Sequence, residues 1–207
     1  MLPTTLRRVA LTGGIATGKS YCLARFAEAG APTIDADSLA RQAVTPGTAG
    51  FDRVIARFGT SVLHPDGSLN RAALGDLVFA DADARRALEA IIHPVVYAAI
   101  NRWFDGLART GHARVAMADI PLLYETGREG DFDAVVVTSC SPEQQRARLL
   151  ARGLSPAAVE RRLASQMPID EKVRRADFVI DTSRSFEDTD RQVKDIWTQL
   201  NQLTTGN

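Results

Sequence analysis

The run Gly13-Gly14-Ile15-Ala16-Thr17-Gly18-Lys19-Ser20 carries the most specific chemistry in this chain. It fits the pattern Gly, four residues, Gly-Lys-Ser/Thr, which cradles phosphate. Glycines let the backbone curl until successive N–H groups point at phosphate oxygens and form an anion nest. Those donors sit where a helix begins, and the helix dipole also favours negative charge there. Lys19 can reach the β- and γ-phosphates of a nucleotide, and the Ser20 hydroxyl can ligate Mg²⁺. The competing explanation is a glycine-rich turn that carries Lys-Ser by chance. It is weakened by usage, because Lys19, Lys172 and Lys194 are the only lysines among 25 basic residues.

Two further groups could act on a bound phosphate. Asp35 and Asp37 follow a short apolar run, and a carboxylate there can accept the proton of an attacking hydroxyl. The alternative for Asp37, or for Ser38, is an N-cap of the next helix. Arg146, Arg148, Arg152, Arg161, Arg162, Arg174 and Arg175 crowd together in the C-terminal third. Guanidinium forks suit phosphate oxygens, yet most arginines on a helix form a solvated face. Arg146 and Arg152 are the favoured phosphate contacts, and the others are read as surface.

The elements that must position these groups alternate between short apolar runs and amphipathic stretches, the pattern of an α/β fold with a parallel sheet. Val9 to Leu11 reads as a first strand. It leads through Thr12 to Gly18 into a helix from Lys19 to about Ala29, stopped by Gly30 and Pro32. Thr33 to Ile34 is a second strand. In such sheets ligands lie beyond the carboxyl ends of the strands, so Asp35 and Asp37 should face the same crevice as the loop. Ser38 to Arg109 is helical by pattern, with breaks at Pro46-Gly47, Gly59 and His64 to Gly67. It is too long for a simple crossover and reads as an inserted subdomain. Arg114 to Met117, Ala134 to Thr138 and Phe178 to Ile180 complete the strands. Pro142 to Arg152, an Arg-rich stretch to Arg175, and Phe186 to about Leu203 are helical. The Thr204–Asn207 tail is expected to be disordered.

Composition narrows the classes. A chain of 207 residues with 45% hydrophobic residues can form one domain with a sizeable core. Basic and acidic side chains balance at 25 each, which argues against nucleic acid as a partner. Cys22 and Cys140 are the only cysteines, too few for a metal cluster, and both are expected buried and reduced. No signal core opens the chain and no apolar run is long enough to span a membrane, so a cytoplasmic protein is expected. A GTPase is set aside because no Asn is followed by Lys, as guanine reading requires. A remodelling ATPase would need a longer sensor architecture.

What remains is a metabolite-kinase layout, and here the sequence resembles the dephospho-CoA kinase family from about residue 8 to residue 183. The resemblance rests on Leu-Thr-Gly-Gly-Ile-Ala-Thr-Gly-Lys-Ser at 11–20 and Ile-Asp-Ala-Asp at 34–37, with Ala-Arg at 40–41. It continues through Ile-His-Pro at 92–94 and Asp-Ile-Pro-Leu-Leu-Tyr-Glu at 119–125. Gln-Met-Pro at 166–168 with Glu171-Lys172, and Ala-Asp-Phe-Val-Ile-Asp at 176–181, complete it. The family usually has Gly-Ser where Ala16-Thr17 stands, often Thr at Tyr21, and commonly Asn at Thr182. None of these departures removes a charge the chemistry needs.

The resemblance implies a three-layer P-loop NTPase fold in one domain, 1–207. A helical acceptor-binding insert would span about 38–110 and an Arg-rich helical lid about 146–175, closing to exclude water. It implies transfer of the γ-phosphate of ATP, with Mg²⁺, to the 3′-hydroxyl of the dephospho-CoA ribose. Asp37 would be the general base, with Lys19 and Arg146 as its catalytic partners. Gly13, Gly14, Ile15, Ala16, Thr17, Gly18, Lys19, Ser20, Tyr21 and Arg152 would hold the nucleotide, and Ser20 its Mg²⁺. Asp35, Arg41, His93, Asp119 and Leu122 would contact the acceptor. Asp119 is equally readable as a carboxylate near Mg²⁺, and His93 as a structural turn residue before Pro94. The expected state is a monomer or weak homo-oligomer. Another metabolite or nucleoside-monophosphate kinase is the rival enzyme, and a regulatory nucleotide-binding module with little turnover is the rival outside enzymes.

Overall fold

The computed structural model describes residues 6–202. The chain divides into two compact units: one runs to Asp35 and resumes at Phe104, and the other is Ala36–Trp103. The tail expected to be disordered lies outside the described residues.

The first unit is built on five parallel strands, β1 (Arg7–Gly13), β2 (Thr33–Asp35), β3 (Val115–Asp119), β4 (Ala134–Ser139) and β5 (Phe178–Asp181), in the order β2-β3-β1-β4-β5. The central strands carry continuous apolar runs at 9–11, 115–118 and 134–137 because both sheet faces are covered. Val9, Leu11, Met117 and Val136 pack on one face with Cys22 and Phe26 of α1 (Lys19–Glu28) and Val193, Ile196 and Leu200 of α9 (Phe186–Gln202). Trp197 meets the Phe26 ring edge-on at 6.4 Å. The alternate residues Ala10, Ala116, Ala118, Val135 and Val137 are buried on the other face.

Register places the chemistry. Asp119 lies opposite Leu11 on one side and Asp35 on the other. Gly13 lies opposite Thr138, so the phosphate loop leaves the middle of the sheet, flanked by the ends of β3 and β4. β1 runs two residues past its apolar run at each end, and the other strands run one or two residues past theirs at the carboxyl end, where Asp35 and Asp119 pair in the ladder despite their charge.

Between β4 and β5 lie α6 (Pro142–Ala151), α7 (Pro156–Ala164) and α8 (Ile169–Arg174). Ser141 caps α6 in a reciprocal capping box with Gln144, and Ser155 caps α7, each helix starting with Pro at its first position.

The second unit is helical: α2 (Ala36–Ala43), α3 (Ala49–Phe58), α4 (Arg71–Ala80) and most of α5 (Ala82–Thr110). Val44, Val54, Val62, Leu69 and Leu74 form its core. The break at 64–67 is a tight reversal in which Leu63 bridges Leu69 and Gly67 turns at φ 81°. One alternative drops out here. Pro94 lies inside the 29-residue α5, so His93 is a helical residue and no turn residue. Its environment therefore outweighs the lost backbone hydrogen bond that an internal proline entails.

Candidate active site

β1 ends at Gly13 and α1 begins at Lys19, with Ala16 at φ 60° and Gly18 at φ 83°. Residues 14–18 thus form the curled link that the glycine spacing predicts. The carbonyl oxygens from Gly13 to Thr17 are held one after another, that of Gly14 from within the loop and the others from outside it. The Gly13 oxygen accepts from Lys172 Nζ at 3.3 Å and the Gly14 oxygen from Thr17 Oγ1 at 2.7 Å. The Ile15 oxygen accepts from Gln145 Nε2 at 2.7 Å, the Ala16 oxygen from Arg148 at 3.1 Å, and the Thr17 oxygen from Thr182 Oγ1 at 2.8 Å. Fixing each carbonyl outward fixes the orientation of the following N–H, which is what an anion nest requires.

Gly13 shows why side chains are excluded. A Cβ there would stand 2.3 Å from Thr138 Oγ1 and 2.6 Å from the Thr138 carbonyl oxygen. The loop tip is embedded as well: Ile15 and Ala16 pack with Leu149, Leu154, Val159 and Leu163 of the α6–α7 region. Gln166 Oε1 accepts the Ile15 N–H at 2.8 Å. The Arg-rich helices are therefore bonded to the loop at their base.

Lys19 Nζ donates to Asp119 Oδ1, and both side chains are largely buried. This pair sets the ground state of the loop lysine beside the strand end where the carboxylate sits. Ser20 follows Lys19 directly in the first turn of α1. The Ser20 hydroxyl and the Asp119 carboxylate are hard oxygen donors, the kind Mg²⁺ takes while keeping water and phosphate oxygens as its other ligands. The residues present fit that ion.

In the second unit, a cavity of about 280 Å³ is lined by Asp37, Arg41 and Arg71 together with Val44, Leu69, Leu74, Leu88 and Ile92. Arg71 donates to the Arg41 carbonyl at 3.0 Å. One carboxylate, two guanidinium groups and an apolar wall suit an elongated ligand that is both anionic and partly apolar. Since α2 starts at Ala36, neither Asp37 nor Ser38 stands in the position before the helix, and the N-cap alternative drops out.

The sequence-named residues fall into separate groups. Asp37 and Arg41 share the cavity, and His93 is outside its lining. Asp35 and Asp119 are adjacent at the strand ends. Half-buried Leu122 lies in the turn after β3, its carbonyl accepting from Thr126 Oγ1 at 2.9 Å. The Tyr21 hydroxyl donates to Asp190 of α9 at 2.7 Å, a bond that raises its pKa. Arg146 pairs with Glu160 through two bonds of 2.7 and 3.2 Å, which lower the Glu160 pKa. Arg152 is exposed just past α6.

Arg148, read from sequence as surface, is half-buried and donates to Ala16, to both Thr182 oxygens and to Cys140. Both cysteines are buried and free, and burial pushes the Cys22 thiol up to about 12. Gln145, Arg148, Gln166, Lys172 and Thr182 were missed as loop supports. Only two carried a signal: the rarity of lysine for Lys172, and the Gln-Met-Pro motif for Gln166.

A parallel sheet in this order, with a phosphate loop leaving its central strand, a loop lysine on a strand-end aspartate and a helical unit after β2, defines a P-loop phosphotransferase. Residues 7–188 match the family described as dephospho-CoA kinase. The chain belongs to that family. It is 51% identical over 183 residues to a dephospho-CoA kinase of Anaeromyxobacter dehalogenans, covering 88% of this chain and 86% of that one. It is 48% identical over 193 residues to the enzyme so named from Symbiobacterium thermophilum, covering 93% and 80%. Among solved structures, TT1252 from Thermus thermophilus superposes with a TM-score of 0.80 at 32% identity, covering 95% of this chain and 98% of that one.

Proposed function

We propose that this chain transfers the γ-phosphoryl group of ATP to the 3′-hydroxyl of the dephospho-CoA ribose, giving coenzyme A and ADP. The observation that carries the reading is the phosphate loop with its carbonyls fixed outward and Lys19 on Asp119, in a chain of this family.

Phosphoryl transfer asks the protein for position and charge stabilisation. Loop amides receive the phosphate oxygens of ATP. Lys19 then exchanges Asp119 for the β- and γ-phosphates, which frees the Asp119 carboxylate to face the cation. Ser20 and Asp119 would hold Mg²⁺, which when bound would supply neutralisation of the charge that builds during transfer. In the helical unit, Arg41 and Arg71 take the acceptor's phosphates and the apolar wall takes its pantetheine arm. Asp37 accepts the hydroxyl proton as the acceptor oxygen bonds to the γ-phosphorus and the bond from that phosphorus to ADP breaks. Arg146 and Arg152 bear on the γ-phosphoryl group once nucleotide is bound, Arg146 by leaving Glu160. His93 and Leu122 contact the acceptor, and Asp35 supports Asp119 at the strand ends.

The test is product analysis with a panel of acceptors in MgATP. Phosphate is expected on dephospho-CoA. Phosphate on shikimate, gluconate or a nucleoside monophosphate, and none on dephospho-CoA, would refute the assignment.

A further inference from the structure

Lys172 is wholly buried, in a chain whose cations are otherwise almost all arginine. Its ε-ammonium has three hydrogen-bond partners: the Gly13 oxygen at 3.3 Å, the Pro121 oxygen at 3.2 Å and Glu125 Oε1 at 2.8 Å. An ammonium has three donors, so its capacity is fully used. Gly13 is the head of the phosphate loop. Pro121 comes two residues after Asp119, the partner of Lys19. One buried cation therefore ties together the two segments that carry the loop lysine and its carboxylate.

The residue type follows from that geometry. Three acceptors from separate segments lie within 3.3 Å of one nitrogen, which suits the three donors of a compact ammonium better than a planar guanidinium fork that spreads its donors over three nitrogens. Burying a cation is costly, and a buried ion pair is weak evidence for stability in itself. The gain lies in the two carbonyl bonds. They fix the spacing of the loop and the 119–121 segment, and a cation on the Gly13 carbonyl polarises the peptide whose N–H belongs to Gly14 in the anion nest. Glu125 adds a third tie, since the same Oε1 accepts the Met167 N–H at 2.9 Å, next to the Gln166 that holds Ile15.

We infer that Lys172 is a positioning residue for nucleotide binding and phosphoryl transfer, acting through the Gly13 and Pro121 carbonyls. The inference rests on the reading of residues 13–20 as the nucleotide site. Three variants separate it from a plain stabilising ion pair: Lys172→Met, Glu125→Gln, and the double variant. Each is measured by thermal melting, by affinity for a non-hydrolysable ATP analogue with Mg²⁺, and by kcat and KM for ATP.

Lys172→Met is expected to melt lower because it strands Glu125. The double variant removes both charges and should recover most of that loss, yet keep analogue affinity and kcat each down by about tenfold or more. Glu125→Gln retains the ammonium on both carbonyls and should hold analogue affinity within about twofold. A double variant with wild-type affinity and kcat overturns the inference. If both Lys172 variants fail to fold, Glu125→Gln still decides: a tenfold loss of affinity there assigns the effect to the ion pair and overturns it. Wild-type turnover of dephospho-CoA is the separate control; its absence sinks the functional reading, whereas its presence beside an unimpaired double variant sinks this one.

Discussion

Replacing Arg148 by Met tests whether the α6 arginine supports the loop or merely decorates a helix. Met keeps most of the apolar stem and removes the guanidinium, which donates to the Ala16 oxygen at 3.1 Å and to the Thr182 oxygen at 2.6 Å. A hydrogen bond from a charged donor contributes roughly 1.5–3 kcal/mol net. Water can enter a half-buried site, so the lower end applies to each carbonyl, and two carbonyls give about 3 kcal/mol. For a chain of this size that is a fall in melting temperature of about 6–12 °C. Circular dichroism melting measures it directly. Arg146→Met is the control on the same helix, and it should change little because exposed pairs are screened. A fall of less than about 2 °C for Arg148→Met, or an equal fall for the two variants, would refute the loop-support argument.

Gly13→Ala drives a methyl group into the Thr138 backbone, and it should cost about 1–3 kcal/mol or more and abolish binding of an ATP analogue in titration calorimetry. Tight binding by that variant would mean that the loop is less confined than its contacts indicate. Asp37→Asn should lower kcat by about 10²-fold while ATP affinity stays nearly intact, and unchanged turnover would remove the base assignment. The Asp181 carboxyl is held below its ordinary value of 3.8 by hydrogen bonds from Ser183. Its contribution to stability is thus complete above pH 3.8 and is lost as pH falls through the lower folded value. Asp181→Asn should flatten the melting temperature's dependence on acid in that window, and an unaltered slope would count against it.

The strands and the phosphate loop were legible because their signals are local: apolar runs, glycine spacing, and a lysine at a helix start. Asp119 was legible either as an acceptor contact or as a carboxylate near Mg²⁺, with the two roles left open. Choosing one needs the sheet order that sets β3 beside β1, which no local pattern encodes. Arg146 and Arg148 show the limit most sharply. Two residues apart on a helix, they lie about 200° apart around its axis. Sequence registers only that arginine recurs, whereas packing turns Arg148 onto the loop and leaves Arg146 on Glu160. His93, readable from its place before Pro94 as a turn residue, sits with that proline in a continuous helix. Gln145 reaches Ile15 across 130 residues of chain and Thr182 reaches Thr17 across 165, distances at which periodicity is silent.

The embedding of Ile15 and Ala16 among Leu149, Val159 and their neighbours has a consequence for engineering. Loop and capping helices are cut to one another's shape, so neither is a freely exchangeable cassette. A chimera that takes residues 142–174 from a different phosphotransferase should misfit at these two side chains unless it imports the donor's loop apex as well. Transplanting both together is the arrangement that preserves the interlock.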